Sequence, residues 1–181
     1  VASGASAKNA GSYANAVTAG TETNYTGSTV PGSLAIAKAN ATVTANSASV
    51  TYNGGNQSVS GFTATGLVGG ETAAVLTGVS ANRTAKNAGS YAVAASGTDG
   101  NYNLSFVNGS LDIAKAALTA TGNNRAVTYN GANQSVSGFT VTGLQGSDTV
   151  ADLSNVVAAG AIAKNAGSYA NAVTAGTETN H

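Results

Sequence analysis

The sequence predicts an all-β, mostly antiparallel chain built from tandem repeats of one unit. Three observations carry that reading. Gly, Ala, Ser, Thr, Asn and Val dominate; Thr and Val favour strands, while Gly and Asn favour turns. Apolar side chains recur at alternate positions over short runs, the period of a half-buried strand. The same motifs return at a fixed interval along the whole chain.

AKNAGSYA begins at Ala7, Ala85 and Ala163; GSLAIAKA at Gly32 is answered by GSLDIAKA at Gly109. TYNGGNQSVSGFTATGL at Thr51 is answered by TYNGANQSVSGFTVTGL at Thr128. Each of these intervals is 77 or 78 residues (109 − 32 = 77; 85 − 7 = 78). The pair Asn24-Tyr25 also returns at Asn101-Tyr102. Residues 39–115 hold every feature once and form a complete repeat. Residues 1–38 are the second half of a preceding repeat, and residues 116–181 form a repeat that lacks its closing strands. One whole unit between two partial ones predicts a piece of a longer tandem array. The longest verbatim copy, AKNAGSYANAVTAGTETN, runs from Ala7 to Asn24 and again from Ala163 to Asn180.

Each element follows from local pattern. In VTYNG, Val50 and Tyr52 share a face and Asn53-Gly54 makes a turn. SVSGFTVTGL changes parity at Gly138, with Val136 on one phase and Phe139 and Val141 on the other, which predicts a bulge at that glycine. GSDTVADLSNVV predicts one helical turn capped by Ser147 or Asp148, and its counterpart GGETAAVLTGV makes a weaker case. GSYAVAA sets Tyr91, Val93 and Ala95 on one face. NYNLSFVNGSLDIAK sets Tyr102, Leu104 and Phe106 on one face, then a hairpin-type turn at Asn108-Gly109, then Leu111 and Ile113 alternating. The junctions LAIAKANATVTA and LDIAKAALTATG contain neither proline nor glycine, so an uninterrupted strand is expected to cross from repeat to repeat and stiffen a rod. The first repeat carries Gly27 and Thr29 where the central one has Leu104 and Phe106, and is expected to be the least stable part. Immunoglobulin-like β-sandwich units fit the strand count. The alternative is a β-grasp-like unit, which requires the helical turn to be a crossing helix.

Composition narrows the function. Charged residues make up 8%, seven basic against seven acidic, where about a quarter is usual. No basic stripe exists to meet phosphate, so no nucleic-acid partner is expected. No run approaches the ~18 apolar residues of a membrane helix, so no membrane span is expected. The absence of cysteine suits export through oxidising compartments.

No catalytic residue, cofactor or metal site is predicted. His181 is the only histidine; it stands where the other repeats carry Tyr25 and Tyr102, and reads as a tag or cloning remnant. The acids Glu22, Glu71, Asp99, Asp112, Asp148, Asp152 and Glu178 form no calcium-type cluster, and Asp148 with Asp152 reads as a solvated pair or cap. Nucleotide and metalloprotease motifs are missing. Lys86 and Lys164 sit beside asparagines, but adjacent residues cannot form an isopeptide crosslink with each other. Asn-x-Ser/Thr triplets at Asn24, Asn40, Asn56, Asn82, Asn103, Asn108 and Asn133 are little more than this composition gives by chance. Tyr13, Tyr91 and Tyr169 occupy equivalent places, as do Tyr52 and Tyr129. The first three are the candidate surface-recognition residues, for carbohydrate, weighed against a half-buried packing role with the hydroxyl at the rim.

The motif order YNG, SGFTVTGLQGSDT, NAGSYA and NYNLSFVNGSLDI resembles the MBG/YDG class of bacterial surface repeats. The resemblance covers the chain as one full and two partial repeats. It implies tandem units of large exported adhesins, notably the filamentous-haemagglutinin-like proteins of two-partner secretion in Gram-negative bacteria. It implies an extracellular, outer-membrane-associated location, no enzyme activity and no cofactor, and a stalk that projects a binding domain. The partners expected are then adjacent repeats of the same chain. A direct binding module for host glycan or matrix protein is the alternative. A minor one is self-association, in which residues 1–38 of one molecule complete the last repeat of another by strand addition.

Overall fold

The computed structural model describes residues 4–181, so the first three residues of the leading partial repeat lie outside the described ones. The chain is all-β and mostly antiparallel. The first repeat supplies β1 (Gly11–Asn15) and β2 (Gly32–Ile36). The central repeat supplies β3 (Ala39–Ala45), β4 (Ala48–Thr51), β5 (Gln57–Ser60), β6 (Phe62–Thr65), β7 (Val79–Ala85), β8 (Gly89–Val93), β9 (Ala95–Gly97), β10 (Tyr102–Val107) and β11 (Gly109–Ala114). The last repeat supplies β12 (Thr119–Gly122), β13 (Gln134–Val136), β14 (Phe139–Thr142), β15 (Val156–Ala158), β16 (Ala161–Ala163) and β17 (Val173–Ala175).

The chain divides into two compact units, and neither coincides with a sequence repeat. One comprises the segment ending at Asn46 with Ser60–Asn82 and Val93–Gly109; the other comprises Ser47–Val59, Arg83–Ala92 and Ser110–His181. Each unit therefore combines segments of two consecutive repeats, and the central repeat is shared between both.

In the first unit β1 pairs antiparallel with β2, Tyr13 opposite Leu34. β3 pairs in parallel with β10, Tyr102 opposite Ala39, and antiparallel with β6. The start of β7 pairs antiparallel with β9. Ala41, Val43 and Ala45 point inward from β3 and are at most 4% exposed; Leu76, Val93 and Tyr102 are buried in the same unit. Each fully buried valine or leucine contributes about 1.5–3 kcal/mol, so a core with this many alanines depends on its ladders and on the few large residues it has.

In the second unit β11 lies between β4 and β8. Its pairing with β4 is parallel, Leu111 opposite Ala48 and Ile113 opposite Val50. Leu111, Ile113 and Tyr52 are buried here, as the alternation predicts. Three antiparallel pairs from the last repeat complete it: β12 with β14, β13 with β16 and β15 with β17.

Several expectations are corrected. Asn108-Gly109 is not a hairpin turn, because β10 and β11 do not pair with each other; β10 pairs in parallel with β3 and β11 in parallel with β4. Gly109 is required by close approach, since a Cβ there would lie 2.3 Å from the Asn46 carbonyl oxygen. Gly138 is not a bulge within one ladder. With φ +80 it passes the chain from β13 in one sheet to β14 in another, and its carbonyl accepts the Asn123 N–H. The junction strands are interrupted, since β2 stops at Ile36 and β3 starts at Ala39, and β11 stops at Ala114 and β12 starts at Thr119. Each interruption marks the change from a closing sheet to an opening one.

The helical turn is only a 3-10 turn, Val150–Asp152. Thr149 caps it rather than Ser147 or Asp148, with its N–H and Oγ1 donating to Asp152 Oδ2 at 2.7 and 2.9 Å. The counterpart Ala73–Val75 forms the same turn. Neither is a crossing helix, which removes the condition on which the β-grasp alternative rested. In the first repeat no strand forms over residues 18–31. Tyr25 and Val30 are more than 80% exposed, and Phe106, expected on the inward face with Tyr102, is itself 38% exposed.

Candidate functional site

The feature built twice in this molecule is a clasp between the second half of one repeat and the second half of the next. It begins with a tyrosine that folds back on its own turn. Tyr13 Oη donates to the Asn9 carbonyl at 2.9 Å, and Tyr91 Oη donates to the Asn87 carbonyl at 2.9 Å. The ring passes over Gly11 or Gly89, where a Cβ would lie 3.2 or 3.3 Å from the hydroxyl. The Gly-Ser-Tyr order thus fixes the Lys-Asn-Ala turn before it.

That turn is then gripped by an asparagine from the next repeat. In the first unit Asn101 Oδ1 accepts the Ala10 N–H at 2.9 Å, and Asn101 Nδ2 donates to Asn9 Oδ1 at 3.2 Å. In the second unit Asn180 Oδ1 accepts the Ala88 N–H at 2.9 Å, and Asn180 Nδ2 donates to Asn87 Oδ1 at 3.4 Å. The lysine that ends each closing strand adds a third tie. Lys38 Nζ donates to the Asp99 carbonyl at 2.7 Å, and Lys115 Nζ donates to the Glu178 carbonyl.

A buried aromatic–acid pair lies in each unit as well. Tyr102, 3% exposed, donates to Glu71 Oε2 at 2.6 Å and accepts the Val68 N–H at 3.0 Å. Asp148 is the equivalent acid (71 + 77 = 148). It receives the Tyr52 hydroxyl at 2.8 Å, and His181 Nε2 lies 3.2 Å from the same oxygen. The Tyr52 and His181 rings meet edge to face, 5.5 Å between centroids. His181 thus takes the place of Tyr102 in space as in sequence, with a side chain 5% exposed. The hydroxyl bonds to Glu71 and Asp148 raise the pKa of Tyr102 and of Tyr52.

Tyr52 belongs to the central repeat and Asp148 to the last, so this contact also spans repeats. Beside it the Asn53-Gly54 turn packs on the last repeat's Gln145-Gly146 turn. A Cβ on Gly54 would lie 2.7 Å from the Gln145 carbonyl oxygen and from Gly146 Cα. Glycine is therefore needed on both sides, and both residues have positive φ, +77 and +60.

Three carboxylates are held ionised by donors. Asn155 N–H, then Ser154 N–H and Oγ, lower the pKa of Glu178. Thr149 lowers that of Asp152 through its N–H and hydroxyl. Ser90 and Ser110 hydroxyls lower that of Asp112. Asp148 and Asp152 therefore face different partners and do not act as a pair. No group of three or more His, Cys, Asp or Glu that could hold a metal occurs among the described residues.

Tyr13 and Tyr91 are half-buried within the clasp, and the Arg83 guanidinium lies 5.4 Å from the Tyr91 ring centroid. Tyr169 is 50% exposed and lines a cleft of about 600 Å³ in the last repeat, between residues 123–127 and 164–171. Asn9, Asn87, Asn101, Asn180, Lys38 and Lys115 were not singled out as site residues from the sequence. Their signal was present in the recurrence of AKNA, IAK and the closing asparagine.

Residues 41–112 match the family model described as MBG domain (YGX type). The match supports the MBG repeat family, to which this segment is similar. No curated protein and no solved structure matches the chain significantly.

Proposed function

We propose that the chain is a structural stalk segment of a secreted bacterial cell-surface adhesin, outside the cell and associated with the outer membrane. In this role it acts on no substrate, carries no cofactor and holds a binding domain at a distance. One observation carries the reading. The Asn–turn–Lys clasp is built twice, each time between consecutive repeats, so the recurring motifs are accounted for by joining repeats to each other. The MBG match over residues 41–112 supports the same reading. Direct recognition of glycan through Tyr13 and Tyr91 draws no support from hydroxyls already bonded to Asn9 and Asn87.

The test is small-angle scattering on arrays of two, four and six repeats. The stalk reading predicts a maximum dimension that grows by a constant increment per repeat. Growth with the cube root of mass, as for a compact body, overturns it.

A further inference from the structure

We propose that the open edge of β10 docks the β10 strand of a second copy of this chain, the two strands pairing antiparallel about a two-fold axis at Ser105. β10 belongs to the complete central repeat and is the outer strand of the sheet β10-β3-β6. Among the described residues its one partner strand is β3, in parallel. The Ala39 N–H donates to the Asn101 carbonyl, which sets the phase of that ladder. In a parallel pair alternate residues turn both backbone polar groups to the partner strand, so Asn103 and Ser105 bond to β3. Leu104 and Phe106 then aim their N–H and C=O groups away from it, at the open edge.

This edge lacks the devices that ordinarily keep a strand from pairing, namely charge, proline, a bulge or a covering element. From Gly100 to Leu111 the chain carries no charged residue and no proline. β10 follows β3 in unbroken register from Tyr102 to Val107, with no bulge. Apolar surface lies open beside it. Phe106 stands opposite Val43, which is fully buried, yet is itself 38% exposed. Val107 is 48% exposed on the other face of the strand. Free backbone groups running along an apolar surface call for an occupant that is itself an extended strand.

The strand is its own complement. With Ser105 opposite Ser105 of the second copy, Leu104 falls opposite Phe106 and Phe106 opposite Leu104. These are the residues whose backbone groups are open, so each such pair exchanges both N–H···O bonds. Ser105 then sits in the closer, non-hydrogen-bonded pair. Phe106 is covered by Leu104 of the second copy on the face that carries Tyr102, and on the other face Val107 meets Asn103. Pairing stops short of Tyr102, whose N–H already donates to Asp99 Oδ1 at 3.1 Å. No residue of this pairing is charged, so no charge is desolvated. The contact is isologous and closes at two chains. This inference does not depend on the stalk reading, since it concerns one strand edge and not the joining of repeats.

The experiment is sedimentation equilibrium of the full chain over a range of concentration, together with mild oxidation of two single-cysteine variants. The wild-type chain is expected to pass from monomer to dimer, and Phe106→Lys to remain monomeric. The wild-type chain has no cysteine, so Ser105→Cys and Asn103→Cys each place one thiol at an exposed position of β10. Position 105 lies against its own copy across the two-fold, about 4.5 Å between Cα atoms, within disulfide reach. Position 103 lies opposite position 107, so its own copy is about 13 Å away along the strand, beyond that reach. Oxidation is expected to link Ser105→Cys chains in pairs and to leave Asn103→Cys chains unlinked. This comparison decides the register even where Phe106→Lys unfolds the sheet. A wild-type chain that is monomeric at every concentration overturns the proposal, as do association that Phe106→Lys leaves intact and equal linking of the two cysteine variants.

Discussion

Asn101 and Asn180 each make two bonds to the preceding repeat through one short side chain. A net bond is worth about 0.5–1.5 kcal/mol, so Asn101→Ala should lower stability by roughly 1–2 kcal/mol in urea unfolding. Asn103→Ala, on an exposed position of β10, should change it far less. The carboxylates set the acid limit. Asp112, Asp152 and Glu178 have folded-state pKa values below their ordinary values of 3.8 and 4.5. Their stabilisation is therefore present above those ordinary values and is lost as pH falls through the lowered ones. Glu178→Gln should flatten the fall in stability below pH 4.5 and leave the slope near neutrality unchanged, as read by thermal unfolding across pH. Tyr52 and Tyr102, with raised values, act in the opposite sense. Their contribution holds below the ordinary value of 10.0 and is lost as pH rises through the raised one.

At the scale of elements, one stretch serves as its own control. AKNAGSYANAVTAGTETN occurs twice, and the two copies differ in structure. In the first copy Gly11–Asn15 forms β1 because β2 lies beside it. In the second copy residues 167–171 form no strand, and Val173–Ala175 forms β17 against β15 instead. Strand formation here follows the available partner rather than propensity, as expected for β-structure. Hydrogen exchange should show it: amides of Gly11–Asn15 should exchange more slowly than those of the identical residues 167–171. Equal protection would contradict the assignment.

The same dependence explains what the sequence made legible. Alternation correctly marked Leu111, Ile113 and Tyr52 as inward-facing, and recurrence marked the period. Period alone did not show which strand pairs with which. An Asn-Gly between two alternating runs reads as a hairpin, yet at Asn108-Gly109 the partners come from β3 and β4, more than sixty residues earlier. Local pattern carries no information about such distant partners. Tyr13 and Tyr91 were recognised as equivalent, but their role required seeing the carbonyls of Asn9 and Asn87 four residues back. His181 aligns with Tyr102 in sequence, but its partners Asp148 and Tyr52 are set by the fold.

At the scale of the whole molecule, each compact unit draws on two repeats, and the central repeat contributes to both. A single repeat of 77 residues buries few large side chains and is marginal by size. Stability in such a chain is a sum of intrinsic and nearest-neighbour contributions. The central claim is that the clasps between repeats hold the array together. It is tested most directly by equilibrium urea unfolding of arrays of one, two, three and four complete repeats. The account predicts a midpoint that climbs with each added repeat toward a plateau, with the gain per repeat cut sharply when every clasp asparagine equivalent to Asn101 is changed to alanine. A midpoint independent of repeat number would contradict it, because each repeat would then be a self-sufficient domain and the clasps would hold nothing.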